Sequence, residues 1–322
     1  MNKTDLVYIG TAIIDVIIKG FDPEPVSATG YRAQSASLNI GGEAVNGAIA
    51  AAKLGARTAI LCHLGNDAAG SMIEDELIRQ GVDVSRIVHS DEHATPVTTM
   101  FVADDGSRKS ITNRAHRYSF HPERYIEALA GAKAAVLGSL FRAPFDDPEV
   151  IRAVAEAAHK GGALVFADTK LPNFAKIGLD DIRDSLPFID FITPNEDEGR
   201  FCTGEDEPEK MADVFLAKGA RNVVIKLGAR GCYFRNPEEE IRLPACGIEA
   251  VDATGAGDNF LAGLASEMLR GDKAADEMLR DGRIRDALTF ANACGAVCST
   301  AVGAGTALKS RRQVLELIGM QS

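Results

Sequence analysis

Apolar positions along this chain fall into two rhythms, continuous runs and strict alternation, and the switch between them outlines the fold. From Leu6 to Ile18, Val, Ile and Tyr predominate, so the segment reads as a buried strand that continues past Gly10 into a second extended piece. Val26 to Ile40 is polar and irregular. Gly41-Gly42 then opens an alanine-rich helix, Glu43 to Leu54, which Gly55 ends before the apolar strand Thr58 to Leu64. That is a β-α-β rhythm. A second helix spans about Ala68 to Gln80. Between Thr95 and Thr112, Val97, Thr99 and Phe101 alternate with neighbours on the other face, Asp104-Asp105-Gly106 is a turn signal, and Ser110-Ile111-Thr112 returns. The pattern predicts an antiparallel hairpin outside the main sheet, forming with the stretch after Gly10 a cover over a site. After about Pro122 the runs resume: Ala134–Leu137, Leu164–Ala167, Phe188–Ile192 and Val223–Ile225 as strands, Pro148–Lys160 and Glu207–Lys218 as helices. The expected fold is α/β, with a doubly wound, mostly parallel central sheet flanked by helices and a small antiparallel β-lid. The core is expected at 1–10, 41–94 and 119–322, and the lid at 11–40 and 95–118.

Composition narrows the function classes. The chain has 322 residues, 46% hydrophobic and 25% charged, enough for a sizeable core and too apolar for disorder. A formal net charge of −11 leaves no basic footprint for nucleic acid or an anionic membrane, so an anionic substrate needs a local positive site. No apolar run has the length of a membrane span, and the opening Met-Asn-Lys-Thr-Asp leads straight into a strand, not a signal peptide; the expected compartment is the cytoplasm. The six cysteines form no Cys-x-x-Cys pair, and Cys294 and Cys298, four apart on a helix, read as small core residues.

The richest stretch is Val251-Asp252-Ala253-Thr254-Gly255-Ala256-Gly257-Asp258-Asn259-Phe260, ahead of the apolar run Leu261 to Leu269. A Gly-Ala-Gly turn feeding a helix exposes backbone N–H groups backed by the positive end of the helix dipole, which is an anion site. Asp258 sits immediately inside it. A carboxylate there suits removal of a proton from an attacking hydroxyl; the plain alternative is a helix cap. There is no Gly-x4-Gly-Lys-Ser/Thr loop, and the turn lacks the third glycine of a dinucleotide fingerprint.

Asp252-Thr254-Gly255-Ala256-Gly257-Asp258-Asn259-Phe260 resembles the C-terminal signature of the ribokinase-like (PfkB) carbohydrate kinases. Gly41-Gly42-Glu43-Ala44-Val45-Asn46-Gly47-Ala48 with Gly65-Asn66-Asp67-x-x-Gly70 resembles the N-terminal one. Between them, Pro194-Asn195-Glu196-Asp197-Glu198 is similar to the family's Asn-x-x-Glu motif and Lys226-Leu227-Gly228-Ala229-Arg230-Gly231 to its nucleotide loop. The resemblance spans nearly the whole chain. It implies an ATP-dependent phosphotransferase, with Asp258 as base and the N–H groups of Gly255, Ala256 and Gly257 as anion hole. Asn195 and Glu198 would organise phosphate and Mg²⁺, Glu198 through water, while Lys226 and Gly228 would line ATP phosphates and ribose and Asn292 would flank adenine. Asp15, Gly41, Gly42 and Asn46 match acceptor-binding positions, and Asn113 and Arg114 follow the hairpin towards the acceptor. The family's potassium-type site maps to Asp252, Thr254, Cys298, Ala301, Gly303 and Ala307. A homodimer through the lid is also implied.

One departure bears on the acceptor. Ribose-specific members usually carry Gly-Gly-Lys-Gly-Ala-Asn, whereas this chain has Glu43 in place of that lysine. Other sugars, sugar acids and nucleosides are therefore open as acceptors. A nucleoside kinase would keep the same base and anion hole, although the absence of tryptophan and 6% aromatics favour a sugar. A non-catalytic sugar or nucleotide sensor would have no need of an intact Asp258, Gly255 and Gly257.

Overall fold

The structure, a computed structural model, describes residues 4–20, 32–105, 107–113, 120–270 and 283–320. The chain enters through β1 (Leu6–Ile9), leaves the core at Gly10 as β2 (Ile13–Lys19), and returns by β3 (Ser35–Gly41) into α1 (Glu43–Lys53). Next come β4 (Thr58–Leu61), β5 (His63–Gly65), α2 (Ala68–Arg79), β6 (Val88–Ser90) and the hairpin β7 (Val97–Val102) and β8 (Arg108–Thr112). The remaining strands are β9 (Ala134–Leu140), β10 (Leu164–Thr169), β11 (Phe191–Ile192), β12 (Asn222–Lys226), β13 (Cys232–Arg235) and β14 (Glu240–Leu243). Between and after them lie α3 (Pro148–Lys160), α4 (Glu196–Thr203), α5 (Pro208–Ala217), α6 (Ala256–Met268), α7 (Arg283–Ser299) and α8 (Arg311–Gly319).

The main sheet runs β14-β13-β12-β11-β10-β9-β1-β4, parallel from β4 to β12 and finished by the antiparallel β13–β14 hairpin. Its central strands read as unbroken apolar runs because helices cover both faces. Side chains alternate between two cores: Leu6, Tyr8, Phe166 and Phe191 pack with residues of α1, α6 and α7, while Val7, Ile9, Val165 and Ala167 pack with α3 and α5. Parallel strands place all their carboxyl ends on one edge, and ligand sites of open α/β sheets form there.

The second sheet runs β3-β2-β7-β8. Its outer pairs are antiparallel, but β2 and β7 run parallel, Ile14 opposite Val97 through Lys19 opposite Val102, so the cover is a mixed sheet. Both strands leave the core from the same edge, which imposes the same direction on them. Two local expectations are corrected. The stretch read as irregular contains β3, whose residues 35–39 are exposed and so lack an apolar signature. The single strand expected over Thr58–Leu64 breaks at Cys62, after which β5 pairs with β6 instead of the main sheet.

Candidate active site

The glycine turn sets backbone N–H groups at the start of a helix. Gly255 caps α6 in the left-handed region at φ 78°, and its carbonyl accepts the N–H of Asn259 at 2.9 Å. N–H groups ahead of that bond have no partner within the helix and lie at its positive end. The Ala256 N–H bends back to the Ala253 carbonyl at 3.1 Å, so in this conformation Gly255 and Gly257 are the better placed donors of the expected trio. Asn259, one of the motif residues, braces the turn: buried, its Nδ2 donates to the Gly255 carbonyl at 2.9 Å and the Ala304 carbonyl at 2.8 Å.

Asp258 stands in the first turn of α6, with Oδ2 accepting from Asn46 Nδ2 of α1 at 2.8 Å. The surrounding protein withholds water from its carboxyl and pushes its pKa up to about 6, against the pull of the Lys170 ammonium and the Asn46 amide. A carboxylate poised there is ionised at neutral pH yet basic enough to take a hydroxyl proton.

Opposite the turn lies a chain of charges. Lys226 ends β12, and its Nζ is 2.6 Å from Asp168 Oδ1 and 3.2 Å from where a Cβ on Gly257 would stand. Its side chain is only 11% exposed, so it is not a surface charge. Asp168, at the carboxyl end of β10, also accepts from Thr193 Oγ1 at 3.0 Å. Its buried Oδ2 has no hydrogen-bond partner among the described residues, and Lys170 Nζ approaches that oxygen at 3.9 Å. Sequence reasoning missed Asp168 and Lys170; the available signal was a polar Asp-Thr-Lys at the carboxyl end of a buried parallel strand.

Asn195 and Glu198 form a reciprocal cap on α4: Asn195 Oδ1 accepts the Glu198 N–H at 2.9 Å and Glu198 Oε2 accepts the Asn195 N–H at 2.8 Å. The same Oε2 accepts Thr169 Oγ1 at 3.0 Å. Burial raises the Glu198 pKa, with Lys226 pulling the other way. Gly228 follows β12 in a tight turn at φ 56°, and Asn292 on α7 donates to the Pro244 carbonyl at 3.3 Å, beside the edge hairpin.

Asp15 of β2 lies against the Gly41-Gly42 turn, and the Gly42 carbonyl accepts the Asn46 N–H of α1 at 2.9 Å. A Cβ on Gly41 would lie 2.5 Å from Asp15 Oδ2, and one on Gly42, at φ 99°, would lie 2.3 Å from the Thr11 carbonyl. Burial raises the Asp15 pKa. Glu43 does not point freely into the site: its Oε1 accepts both the Thr11 hydroxyl at 2.7 Å and the Thr11 N–H at 3.2 Å. Asn113 is likewise committed to backbone, accepting from the Val97 N–H at 2.8 Å and donating to the Thr95 carbonyl at 3.2 Å. Arg114 lies outside the described residues.

Of the positions matched to a monovalent ion, Asp252, Thr254, Cys298 and Gly303 are joined by hydrogen bonds behind the turn. Asp252 Oδ1 accepts the Thr254 N–H at 2.9 Å and hydroxyl at 2.6 Å, and Oδ2 accepts the Gly303 N–H at 3.0 Å. Although desolvation works to raise it, these bonds hold the Asp252 carboxyl below the usual range. Cys298 donates to the Thr254 carbonyl at 3.5 Å and the Ala304 carbonyl at 3.3 Å. The Ala307 carbonyl accepts Gln313 Nε2 at 3.1 Å, and Ala301 lies on the intervening turn.

Comparison with known proteins places this geometry in a wider set. The sequence model described as pfkB family carbohydrate kinase matches residues 3–311. A ribokinase of Haemophilus influenzae is 30% identical with 99% of each chain covered, and a 2-dehydro-3-deoxygluconokinase of Bacillus subtilis is 29% identical with 88% of each covered. Among solved structures, Arabidopsis thaliana ribokinase complexed with ribose and ATP superposes with a TM-score of 0.82 over 98% of each chain at 25% identity.

Proposed function

The chain belongs to the pfkB family of carbohydrate kinases and is a phosphotransferase acting on a sugar hydroxyl, and from that premise we propose that it moves the γ-phosphoryl group of ATP to a hydroxymethyl group of a small sugar or related polyol. The observation that carries this reading is the Asn46–Asp258 pair at the mouth of α6, with Lys226 facing the turn from the other side. Asp258 takes the proton of the attacking hydroxyl, and the N–H groups of the Gly255 to Gly257 turn receive the charge that gathers on the phosphoryl oxygens. Asp15 and Asn46 hold the acceptor so that the hydroxyl reaches Asp258. Lys226 and Gly228 line the ATP phosphates, and Asn292 stands at the adenine end.

The site is rich in carboxylates, with Asp15, Glu43, Asp168, Glu198 and Asp258 against Lys170 and Lys226, so ATP must bring cations with it. Glu198 fits a hydrated Mg²⁺: Oε2 is spent on Thr169 and Asn195, and Oε1 has no protein partner among the described residues. When bound, Mg²⁺ neutralises charge on the β- and γ-phosphates.

The polar set Asp15, Asn46 and Thr11 favours sugar hydroxyls over a nucleobase. Turnover of ATP with a panel of monosaccharides, sugar acids and nucleosides tests this. The expected product is a sugar or sugar-acid phosphate; turnover confined to nucleosides would replace the reading by a nucleoside kinase.

Two further features have their own tests. An ion such as K⁺ behind the turn would stiffen the loop through the carbonyls at Thr254, Cys298, Ala301, Gly303 and Ala307. Exchange of K⁺ for a large organic cation at constant ionic strength is expected to lower turnover severalfold, and unchanged turnover removes the ion from the mechanism. Residues 11–40 and 95–118 serve as the lid, whose strands carry exposed Leu38 (61%) and Ile111 (67%) and whose edges have no cover among the described residues. Pairing of two lids is the expected use of that surface. Sedimentation should give a dimer that Leu38→Lys with Ile111→Lys dissociates; a wild-type monomer at tens of micromolar would end the idea.

A further inference from the structure

Lys170 belongs to none of the motifs, yet its backbone places it at the reaction centre. Its N–H bonds the Leu140 carbonyl at 3.0 Å, which fixes the residue at the carboxyl edge of the sheet directly after β10. Nζ lies 3.9 Å from Asp168 Oδ2, and that oxygen is itself 3.9 Å from where a Cβ on Gly257 would stand. Lys226 approaches the other oxygen of Asp168 from the nucleotide side at 2.6 Å. Two ammonium groups thus bracket one buried carboxylate beneath the turn that cradles phosphate.

An ordinary structural ion pair does not explain this placement. Asp168 already has Lys226 and Thr193 as close partners, and 3.9 Å is too long for a hydrogen bond from Lys170. The side chain is 33% exposed, and burial alone would lower its pKa, but carboxylates on four different segments, Asp168, Asp258, Glu198 and Glu43, overcome that and hold it protonated. Their convergence puts the ammonium between the phosphate side and the acceptor side of the cleft.

We propose that Lys170 is a catalytic residue: its ammonium meets the phosphoryl group on the acceptor side as it passes from ATP to the hydroxyl, opposite Lys226 on the nucleotide side. The proposal rests on Asp258 acting as base. In the step, the acceptor hydroxyl gives its proton to Asp258 while its oxygen bonds the γ-phosphorus. The bond from that phosphorus to the β,γ-bridging oxygen breaks, and ADP leaves with the electron pair. Lys170 exchanges no atom; it offsets charge on the transferring group and favours the ionised form of Asp258. The other groups that bear on Asp258 are Asn46 of α1, Asp168 of β10 and Glu43 of α1, and Asp258 in turn acts on Tyr8 of β1 and Cys298 of α7. Lys170 is the cation among them.

The test uses Lys170→Met and Lys170→Arg in the full chain, with the best of D-ribose, D-fructose and 2-dehydro-3-deoxygluconate as acceptor. Lys170→Met should fold with a near-normal thermal midpoint, lose about 10- to 100-fold in kcat, keep its acceptor KM within about threefold, and show the acid limb of kcat moved to higher pH. Lys170→Arg should recover at least about fivefold and move the limb back. Turnover of the Met variant within about threefold of the parent overturns the proposal, as does a loss confined to acceptor KM, which would make Lys170 an acceptor grip, or an acid limb that does not move. Repeating Lys170→Met in an Asp258→Asn chain separates this proposal from its premise. If both act on one step, the second change adds little. If Asp258 is not the base, Asp258→Asn keeps its turnover and Lys170→Met costs the same in both backgrounds.

Discussion

Asp258→Asn is expected to fold, to bind ATP and to lose most phosphoryl transfer, with turnover falling ~10²- to 10⁴-fold, the usual cost of removing a general base. The asparagine has the size of the aspartate, and its Oδ1 can still accept from Asn46 Nδ2, so the 2.8 Å bond to α1 survives. It cannot accept the hydroxyl proton. A helix-cap role predicts the reverse, near-normal turnover with a small loss of stability, but the geometry already speaks against it. Gly255 is the cap residue, no side-chain cap bond is present there, and the Asp258 carboxylate turns to Asn46. Because a carboxylate with an elevated pKa is replaced by a neutral amide beside phosphate, ATP affinity should be equal or slightly better. The same assignment fixes the sign of the pH dependence. The ionised form is the active one, so parent turnover falls as pH drops through about 6, and the variant's residual rate should lack that limb. More than about a tenth of normal turnover in the purified variant would refute the base assignment.

What the sequence could announce depended on whether a local signal was unique to the structure that formed. Strands covered on both faces announce themselves as apolar runs, so β1, β4, β9, β10 and β12 were legible, whereas of the run Phe188–Ile192 only Phe191–Ile192 is strand. Strand β3 was not, because Ser35 to Asn39 are exposed and present no face to bury. The Gly255 turn was legible because a left-handed residue at a helix start calls for glycine and the dipole behind it calls for an anion. Asp168 and Lys170 were not, since a polar Asp-Thr-Lys after a strand looks like an ordinary loop until the parallel sheet gathers its carboxyl ends on one edge. Lys226 was named through the motif resemblance alone, because a lysine ending a strand carries no local mark of a held charge; tertiary packing is what brings it to 2.6 Å from Asp168. Asn113 shows the converse. A polar residue after a hairpin reads as a ligand contact, and its amide proves to close the hairpin's own backbone.

Gly255→Ala should leave acceptor binding intact and cut kcat ~10²- to 10³-fold, the range found when a preorganised anion-hole donor is lost. At φ 78° an alanine carries a backbone cost of about 1–2 kcal/mol that glycine does not. Its Cβ would also stand 2.4 Å from Ala304 Cβ, 2.6 Å from Ala304 Cα and 2.9 Å from the Ala304 carbonyl oxygen. None of these atoms can swing aside as the end of a long side chain could, so the turn or the Ala304 loop must move. Asn259 prevents either from moving alone, because its two Nδ2 hydrogens hold the Gly255 and Ala304 carbonyls at 2.9 and 2.8 Å. The displacement therefore reaches the first N–H groups of α6, the donors proposed to meet the phosphoryl oxygens in the transition state. Asp15 and Asn46, the proposed acceptor contacts, stand on β2 and α1 outside the turn, so acceptor KM should stay within about threefold while kcat collapses. Adding Ala304→Gly removes the contact with the methyl group but leaves those with Ala304 Cα and its carbonyl oxygen and the left-handed strain, so the double variant should regain part of the rate and remain below the parent. Steady-state kinetics on both variants, with thermal midpoints to confirm folding, decide the matter: a Gly255→Ala enzyme within about threefold of normal turnover would show that the phosphoryl group is not received at this turn.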